Sequence, residues 1–572
     1  MRENMGFWSD ASQSVILRPR IGRRISRDVY DLFALERLSG EVPVLRARQG
    51  PRPLKHLREV IRPIPGLRMA RISRASGTRV AKAGSLSKLF IPTFLLAVMM
   101  LGCLGMAAAQ QSWDQVPIPP LPKFAPQEPT RVQLPNGMVV FLQEDHELPL
   151  ISGTIFIKGG SSAEPASKIG LVSVYAASWR TSGTEKKSGD KFDDELEAIA
   201  AKVETGGGVD TTSASFNCLK QNFDQVFADF LDILEHPAFR EDKIALAKRR
   251  LETAISRRNE EIESIAGREA AKLGYGASSP YAREPEYWTV EAVTRQDLVD
   301  WHDKHFAPNN IIFGVVGDFE SKEMESRIRR AFGSLSKGTP YNPPQIPVPG
   351  PKPGVNLAEK NDVNQSDITM IGLGIRRDNP DYFAVRVLNE IFGGGFASRL
   401  FKNLRSKQAL AYSVGGGIGA GYNHLGLINI SMGTKSGSTA KAIEGLYQQI
   451  DDLLSNPPSE TELKQAKDSI LNGFIFAYDS PDKILGEQLT YELYGYPKDF
   501  LERFRGAVEK VTIDDVNRVA HKYIDKRKLA VLVVGNPKEF DKPLSQFGEV
   551  TKLDISIPKA PPGGKPAGAA SR

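Results

Sequence analysis

Cysteine and histidine are the scarce residues of this chain. Cys103 and Cys218 are the only cysteines in 572 residues. Two thiols exclude a disulfide-stapled scaffold and any cysteine-rich zinc or iron–sulfur centre. There are seven histidines: His56, His146, His236, His302, His305, His424 and His521. An imidazole-based metal site therefore has few places to be built. With 41% apolar and 25% charged residues, the chain is neither disordered throughout nor collagenous nor a coiled coil.

The net charge of +7 misleads until it is mapped. Residues 1–109 hold sixteen Arg and three Lys against seven acidic residues, a surplus of twelve, which leaves −5 on the remainder. The basic charge is thus confined to the N-terminal stretch. No basic patch with interleaved aromatics follows it, so nucleic-acid binding is not expected. Residues 1–88 read as a basic, disordered extension, with Met69 a plausible start for a shorter leader. Residues 89–109, LFIPTFLLAVMMLGCLGMAAA, carry no charge and end in small residues. Basic flank, apolar run and A-x-A site together read as a secretory signal. The rival reading is a membrane anchor, since 21 uncharged residues can span a bilayer. Either way the chain is expected to be exported, to the periplasm or beyond. With the leader removed, Cys218 is the sole thiol, and a buried small hydrophobe is its expected role.

A Pro-rich run at 336–356, with seven prolines between 340 and 353, reads as an extended linker. It separates halves at 125–335 and 357–545, and a tail from Lys559 that reads as disordered. The halves repeat. Residues 293–317 and 511–535 align without a gap at a shift of 218, pairing Thr294 with Thr512, Asp297 with Asp515, and Val315-Val316-Gly317 with Val533-Val534-Gly535. Each reads as a Thr-capped helix, a turn and a buried strand ending at Gly, which points to duplication of a whole domain. Strands are expected at 132–134 and 138–143 around a Pro-Asn-Gly turn, at 151–158, and at 367–375, 411–417 and 426–432. Helices are expected at 170–181, 191–204, 220–234, 241–272, 381–392, 397–406 and 438–455, with a capping box at Ser459–Glu462 opening another. The fold class is α+β: duplicated α/β domains, each a mainly antiparallel sheet with helices packed on one face.

The duplicated domain, VVGD at 315–318, LPNG before a strand, and above all GGGFASRLFKNLRSKQALAYSV at 393–414 resemble the insulinase/pitrilysin/mitochondrial-processing-peptidase family of zinc metallopeptidases. The resemblance spans about 128–545. It implies a domain pair forming half of a chamber, a half-shell, and an inverted zinc motif, H-x-x-E-H, on an early helix. Two His at i and i+4 would aim at one metal, and the Glu between them would take a proton from metal-bound water.

That motif is missing. The corresponding helix is GLVSVYAASWRTSGT, residues 170–184. Counted forward from Gly170, the His, Glu and His positions hold Ser173, Ala176 and Ala177. Counted back from Thr184, they hold Val174, Ala177 and Ser178. The third-ligand position falls near Thr253–Ser256, with Glu252 and Glu260 close by. No zinc is expected on this chain, and no other cofactor.

The second half keeps Arg405 and Tyr412, the residues matching a family Arg and Tyr that contact substrate. A guanidinium offers a fixed fork of donors to a peptide carbonyl, and a tyrosine hydroxyl can donate to a developing oxyanion. Read without the resemblance, these are a surface Arg on a helix and a core Tyr. The resemblance implies a non-catalytic, substrate-binding subunit of a heteromeric peptidase, with peptides bound along sheet edges and zinc on a homologous partner. The alternatives are a structural or binding scaffold of the same shell, and a zinc peptidase with displaced ligands. His302-x-x-His305 has metal-like spacing, but the repeat places Ala520 and Tyr523 at the matching positions. Ala411–Gly415 lacks the first Gly of a serine-hydrolase elbow. The glycine runs 206–208, 393–395 and 415–417 lack the Lys-Ser/Thr of a phosphate loop and read as turns or close backbone approaches.

Overall fold

The computed structural model describes residues 127–559. The basic extension, the 89–109 run and all but the first residue of the tail lie outside the described residues. No helix among the described residues is long and apolar enough to cross a membrane.

The first half contributes β1 (Thr130–Gln133), β2 (Val139–Glu144), β3 (Leu150–Lys158), β4 (Lys202–Gly207), β5 (Thr211–Leu219) and β6 (Ile311–Gly317). Its helices are α1 (Leu171–Trp179), α2 (Gly189–Ala198), α3 (Phe223–Glu235), α4 (Glu241–Arg257), α5 (Ile262–Tyr275), α6 (Tyr287–Glu291), α7 (Arg295–His305) and α8 (Ser321–Phe332). The second half contributes β7 (Gly354–Glu359), β8 (Gln365–Leu373), the short β9 (Ile375–Arg376), β10 (Ser413–Ile418), the short β11 (Ala420–Gly421), β12 (Leu427–Lys435), β13 (Ala530–Gly535) and β14 (Val550–Leu553). Its helices are α9 (Tyr382–Phe392), α10 (Thr439–Ser455), α11 (Glu460–Ala477), α12 (Pro481–Tyr494), α13 (Phe500–Lys510) and α14 (Ile513–Tyr523).

The strands form two six-stranded sheets, ordered β1-β2-β6-β3-β5-β4 and β14-β7-β13-β8-β12-β10, and a two-stranded β9–β11 pair. Read this way, β2, β6, β3, β5 and β4 match β7, β13, β8, β12 and β10 one for one. The sheets are mainly antiparallel, with parallel pairs at β2–β6, β7–β13 and β7–β14. The repeat is the same device built twice. Thr294 and Thr512 each cap their helix by accepting from the amide of Asp297 or Asp515, whose carboxylate returns the bond. Each helix then leads into a wholly buried strand, β6 or β13.

Each sheet packs one face on helices of its own half and the other on a helix from the opposite half. Val140 and Leu142 join the core shared with α1, α3, α7 and α8. Val139 and Phe141, on the alternate face, meet Leu485 and Leu489 of α12 together with Ile312 and Val316. Reciprocally, Ile262, Ile265, Ala266 and Ala270 of α5 pack on Ala358, Ile371, Leu532 and Val534 of the second sheet. Strands covered on both faces are apolar throughout rather than alternating, which explains β6 and β13.

Three local expectations are corrected. Residues 191–204 are not one helix: α2 ends at Ala198, and Ala200 takes a left-handed φ of 52°. Residues 202–207 then pair with β5 as an edge strand, a pairing that Lys-Val-Glu-Thr does not announce. Residues 241–272 break between α4 and α5, where the chain crosses to the second sheet. Arg268 holds that elbow by donating to the Arg258 carbonyl at 2.9 Å and the Asn259 side-chain oxygen at 2.7 Å. No Pro or Gly marks it, since tertiary packing sets it. Residues 397–406 are helical from Arg399, and the helix continues as a π-helical turn over Phe401–Lys407.

The Pro-rich run has no regular structure before β7, which begins at Gly354. Its start is strapped down: the amide of Gly338 donates to Asn309 and that of Tyr341 to Asn310, each at 2.8 Å.

Candidate functional site

Helix α1 keeps its mounting. The buried Glu164 carboxylate accepts from the amides of Gly170 at 3.1 Å and Val172 at 2.6 Å. Those amides are otherwise unpaired at a helix start, where negative charge is favourable. Trp179, at the other end, is fully buried and donates to the Ile233 carbonyl at 2.9 Å.

The open face of α1 carries Ser173 and Ala177, one helical turn apart. Val174 and Ser178 point into the core at 1% and 0% exposure. Only the forward register, Ser173, Ala176 and Ala177, therefore puts its two outer positions at a surface. Ala176 is buried, and its carbonyl accepts from the Thr205 hydroxyl at 2.8 Å. On α4, Thr253 and Ser256 turn their hydroxyls back onto their own helix, at 2.8 and 2.7 Å, and Glu260 is paired with Arg257. Among the described residues no group of three or more His, Cys, Asp or Glu could hold a metal ion. A methyl group, a back-bonded hydroxyl and a paired carboxylate do not make a zinc site. The residues do not fit the metal that the resemblance implies.

The geometry predicts which register a metal could re-enter. Ser173→His with Ala177→His should give a two-imidazole site that binds zinc or nickel in an isothermal titration, with the fold intact. Val174→His with Ser178→His should instead cost about 3 kcal/mol or more through buried polar groups, seen as a lowered urea midpoint.

The His302/His305 pair serves packing. The Nδ1 atom of His302 is 2.9 Å from the buried Tyr175 hydroxyl, and burial pushes its pKa down to about 4. His305 stacks on Trp301 and meets the Lys158 carbonyl at 3.0 Å. Burial raises the Cys218 thiol to about 11, so it is protonated and unreactive at neutral pH.

The second half is different in kind. After α9 the chain runs through Gly393–Gly395 and Phe396 into the π-helical turn. Gly393 lies against β10: a Cβ there would stand 2.4 Å from the Gly416 carbonyl oxygen. Gly416 itself has φ +126° and would put a Cβ 2.0 Å from the Asn429 carbonyl. These runs are close backbone approaches. Gly416→Ala should destabilise the protein by about 2 kcal/mol or more, measurable in the same urea assay.

Arg405 sits exposed on the last stretch of the turn, its Cζ 4.8 Å from the Phe401 ring centroid. The turn ends at Ala409, which has φ 51° and donates its amide to the Arg405 carbonyl at 3.2 Å. Tyr412 follows at the mouth of β10, 50% exposed, anchored by its amide on the Gly433 carbonyl at 2.9 Å. It is not a core tyrosine. Among the described residues no carboxylate pairs with the Arg405 guanidinium, and the Tyr412 hydroxyl has no polar partner.

Arg399 braces this segment through two ion pairs, the longer with Asp452 at 3.5 Å. Arg399 grips the Glu462 carboxylate through two bonds, at 2.7 and 3.0 Å. Arg399, aided by the capping bonds of Ser459, holds that carboxylate at about 2. Asp381 is also near 2: burial opposes this, but the hydrogen bonds of Lys522, Arg518 and Tyr523 outweigh it. Both folded pKa values lie below the unfolded ones. Their stabilisation is therefore complete above about pH 4.5 and is lost as pH falls through 2. Glu462→Ala should cost about 2 kcal/mol at pH 7, and the penalty should shrink toward pH 2 in melting curves.

The sheet edges are less open than the sequence reading supposed. Along β10 the Gly416 amide donates to the Gly393 carbonyl at 3.3 Å, and Asn389 covers both backbone groups of Ile418 at 2.8 and 2.9 Å. Along β4, Arg180 donates to the Val203 carbonyl at 2.8 Å while paired with Asp193. Sequence reasoning missed these caps, and it missed that Phe396, a large apolar residue directly after three glycines, is left exposed.

Residues 139–275 match the sequence model described as insulinase (peptidase family M16), and residues 292–470 match the one described as peptidase M16 inactive domain. The chain belongs to the insulinase peptidase family. It is a member that lacks the family's H-x-x-E-H motif. A relative in Helicobacter pylori, named as the non-peptidase homolog YmxG, is 21% identical, covering 79% of this chain and 99% of that protein. An uncharacterized zinc protease of Mycobacterium leprae is 24% identical over 69% of this chain and 89% of its own. A crystal structure of a peptidase M16 inactive domain from Pseudomonas fluorescens superposes with a TM-score of 0.66 at 24% identity, covering 73% of this chain and all of that one. A Helicobacter pylori protease structure gives 0.62 at 19% identity, covering 71% and 99%. At these identities the structural likeness speaks for the insulinase-family fold, which the two matching sheets display.

Proposed function

We propose that this chain is the non-catalytic, substrate-binding subunit of an exported, heteromeric zinc metallopeptidase that cleaves peptides or unfolded segments. The observation that carries the reading is a contrast within one chain. The metal positions hold Ser173, Ala176 and Ala177, whereas Arg405 and Tyr412 stand exposed with free donors. Zinc belongs on this reading to a homologous partner carrying H-x-x-E-H, which supplies the activated water. Arg405 holds a peptide carbonyl in its planar fork. The Tyr412 hydroxyl donates to the oxygen that gains negative charge. Work in the periplasm or outside the cell follows from the 89–109 leader, and an uncleaved leader would tether the subunit to the membrane.

A scaffold without a peptidase role is the second reading. The bonds that cover the Val203 carbonyl of β4 and Gly416 and Ile418 of β10 favour it, because they occupy part of the edge that a peptide would extend.

The deciding test measures hydrolysis of unstructured peptides by this chain, by a homologous H-x-x-E-H partner, and by the two together. Activity that rises only in the mixture supports the subunit reading. Equal activity of the partner with and without this chain leaves the scaffold.

A further inference from the structure

We propose that Asp367 is a pH-sensitive latch between the two halves: protonated, it lets α5 lie on the second sheet, and ionised, it loosens the first turns of that helix. The proposal is independent of any peptidase role.

Asp367 stands on β8 directly opposite Val534 of β13. Residues paired in this way project to the same face. Val534 packs with Ile262, Ile265 and Ala266 of α5. The Asp367 carboxyl therefore lies on the face that a helix of the first half covers. It is 8% exposed. Its hydrogen-bond partner is the Thr369 hydroxyl, at 2.9 Å, two residues along the same strand.

The groups around it offer no cation. From α5, Glu263 brings a like charge, and Glu261 stands exposed just before the helix. β12 and β13 place Gly433 and Val534 beside it. Lys435 of β12 is opposite Gln365 and exposed at the end of the sheet. Lys360 holds Asp362 at 2.8 Å, and Lys552 holds Glu359 at 2.7 Å. Burial therefore pushes the Asp367 carboxyl up to about 7 against the Thr369 bond, and the charge of Glu263 adds to the push.

A buried charge without a partner is costly, and here a local movement relieves it. A cavity of about 590 Å³ lies beside the start of α5, lined by Glu261, Ile262, Glu263 and the turn between β7 and β8. Lifting the first turns of α5 lets water from this cavity reach Asp367. The fold does not require a carboxyl here. In the first sheet the matching position is Ser152, opposite Val316, on the face that α12 covers.

The direction follows from linkage. With α5 lifted and Asp367 hydrated, its pKa returns to about 4. The docked state holds the proton more tightly, so it is most stable below about pH 4 and weakens as pH rises toward 7. Above 7 the effect levels off.

The test is hydrogen–deuterium exchange of the full chain between pH 5 and 8, corrected for the intrinsic exchange rate. Protection of residues 262–269 should fall about 50-fold from pH 5 to 7 and only about 2-fold from 7 to 8. Asp367→Asn should remove this dependence. Asp367→Val should do the same, and it serves if the Asn variant does not fold. Glu263→Gln should make the fall smaller. A wild type whose protection does not change with pH would overturn the latch. So would the same fall in Asp367→Asn or Asp367→Val. An equal fall in β6 and β13 would show global unfolding in place of a helix-specific release, and would overturn it too.

Discussion

On the proposed subunit reading, Arg405→Ala is expected to lower peptide hydrolysis by this chain mixed with a zinc-bearing partner about 100-fold, the usual consequence of deleting a donor aimed at developing charge. The loss should fall mainly on kcat if the guanidinium acts most strongly in the transition state, and on KM if it only anchors the peptide. Far-UV circular dichroism and the urea midpoint should not move, because the side chain is exposed and its one ring contact is with Phe401. Arg405→Lys should recover little, since an ammonium cannot reproduce the planar fork. Tyr412→Phe removes a single hydroxyl and should cost less, about 10-fold. Full activity in both variants would reject a shared active site.

The second large effect is on stability. Leu485→Ala together with Leu489→Ala should destabilise the protein by about 5 kcal/mol, read from urea unfolding. Both side chains are buried, at 4% and 1% exposure, against Val139, Phe141, Ile312 and Val316 of the opposite half. Each truncation removes apolar burial and leaves a cavity, at about 2–5 kcal/mol per site. They are neighbours on one helix and share partners, so the pair should cost less than the sum of the singles. The wild type should unfold in one transition, because each sheet is closed by the other half's helix. The double variant should separate into two transitions, with α12 released from the first sheet. A single transition with an unchanged midpoint would show that the exchange of helices contributes little.

Much of this was legible along the chain. The shift of 218 residues between the two Thr-capped helix–strand units requires only local chemistry: a hydroxyl cap, a carboxylate three residues on, and an apolar strand ending at Gly. Those signals survive in any context, and both units stand as read. The failures cluster where partners decide. Residues 202–207 became an edge strand because β5 offers them a ladder. The α4–α5 elbow exists because α5 must reach the second sheet. Phe396 was passed over because nothing along the chain tells an apolar residue bound for the core from one left in solvent.

The sequence by itself therefore determined the duplication, the α+β class and the loss of the H-x-x-E-H motif, since a missing side chain is missing in any fold. Only the tertiary structure decided that Ser173 and Ala177 face outward and that the halves trade helices. It alone set the Asp367 carboxyl on the face that α5 covers. Exposure and contact depend on what packs alongside, and no linear pattern encodes that.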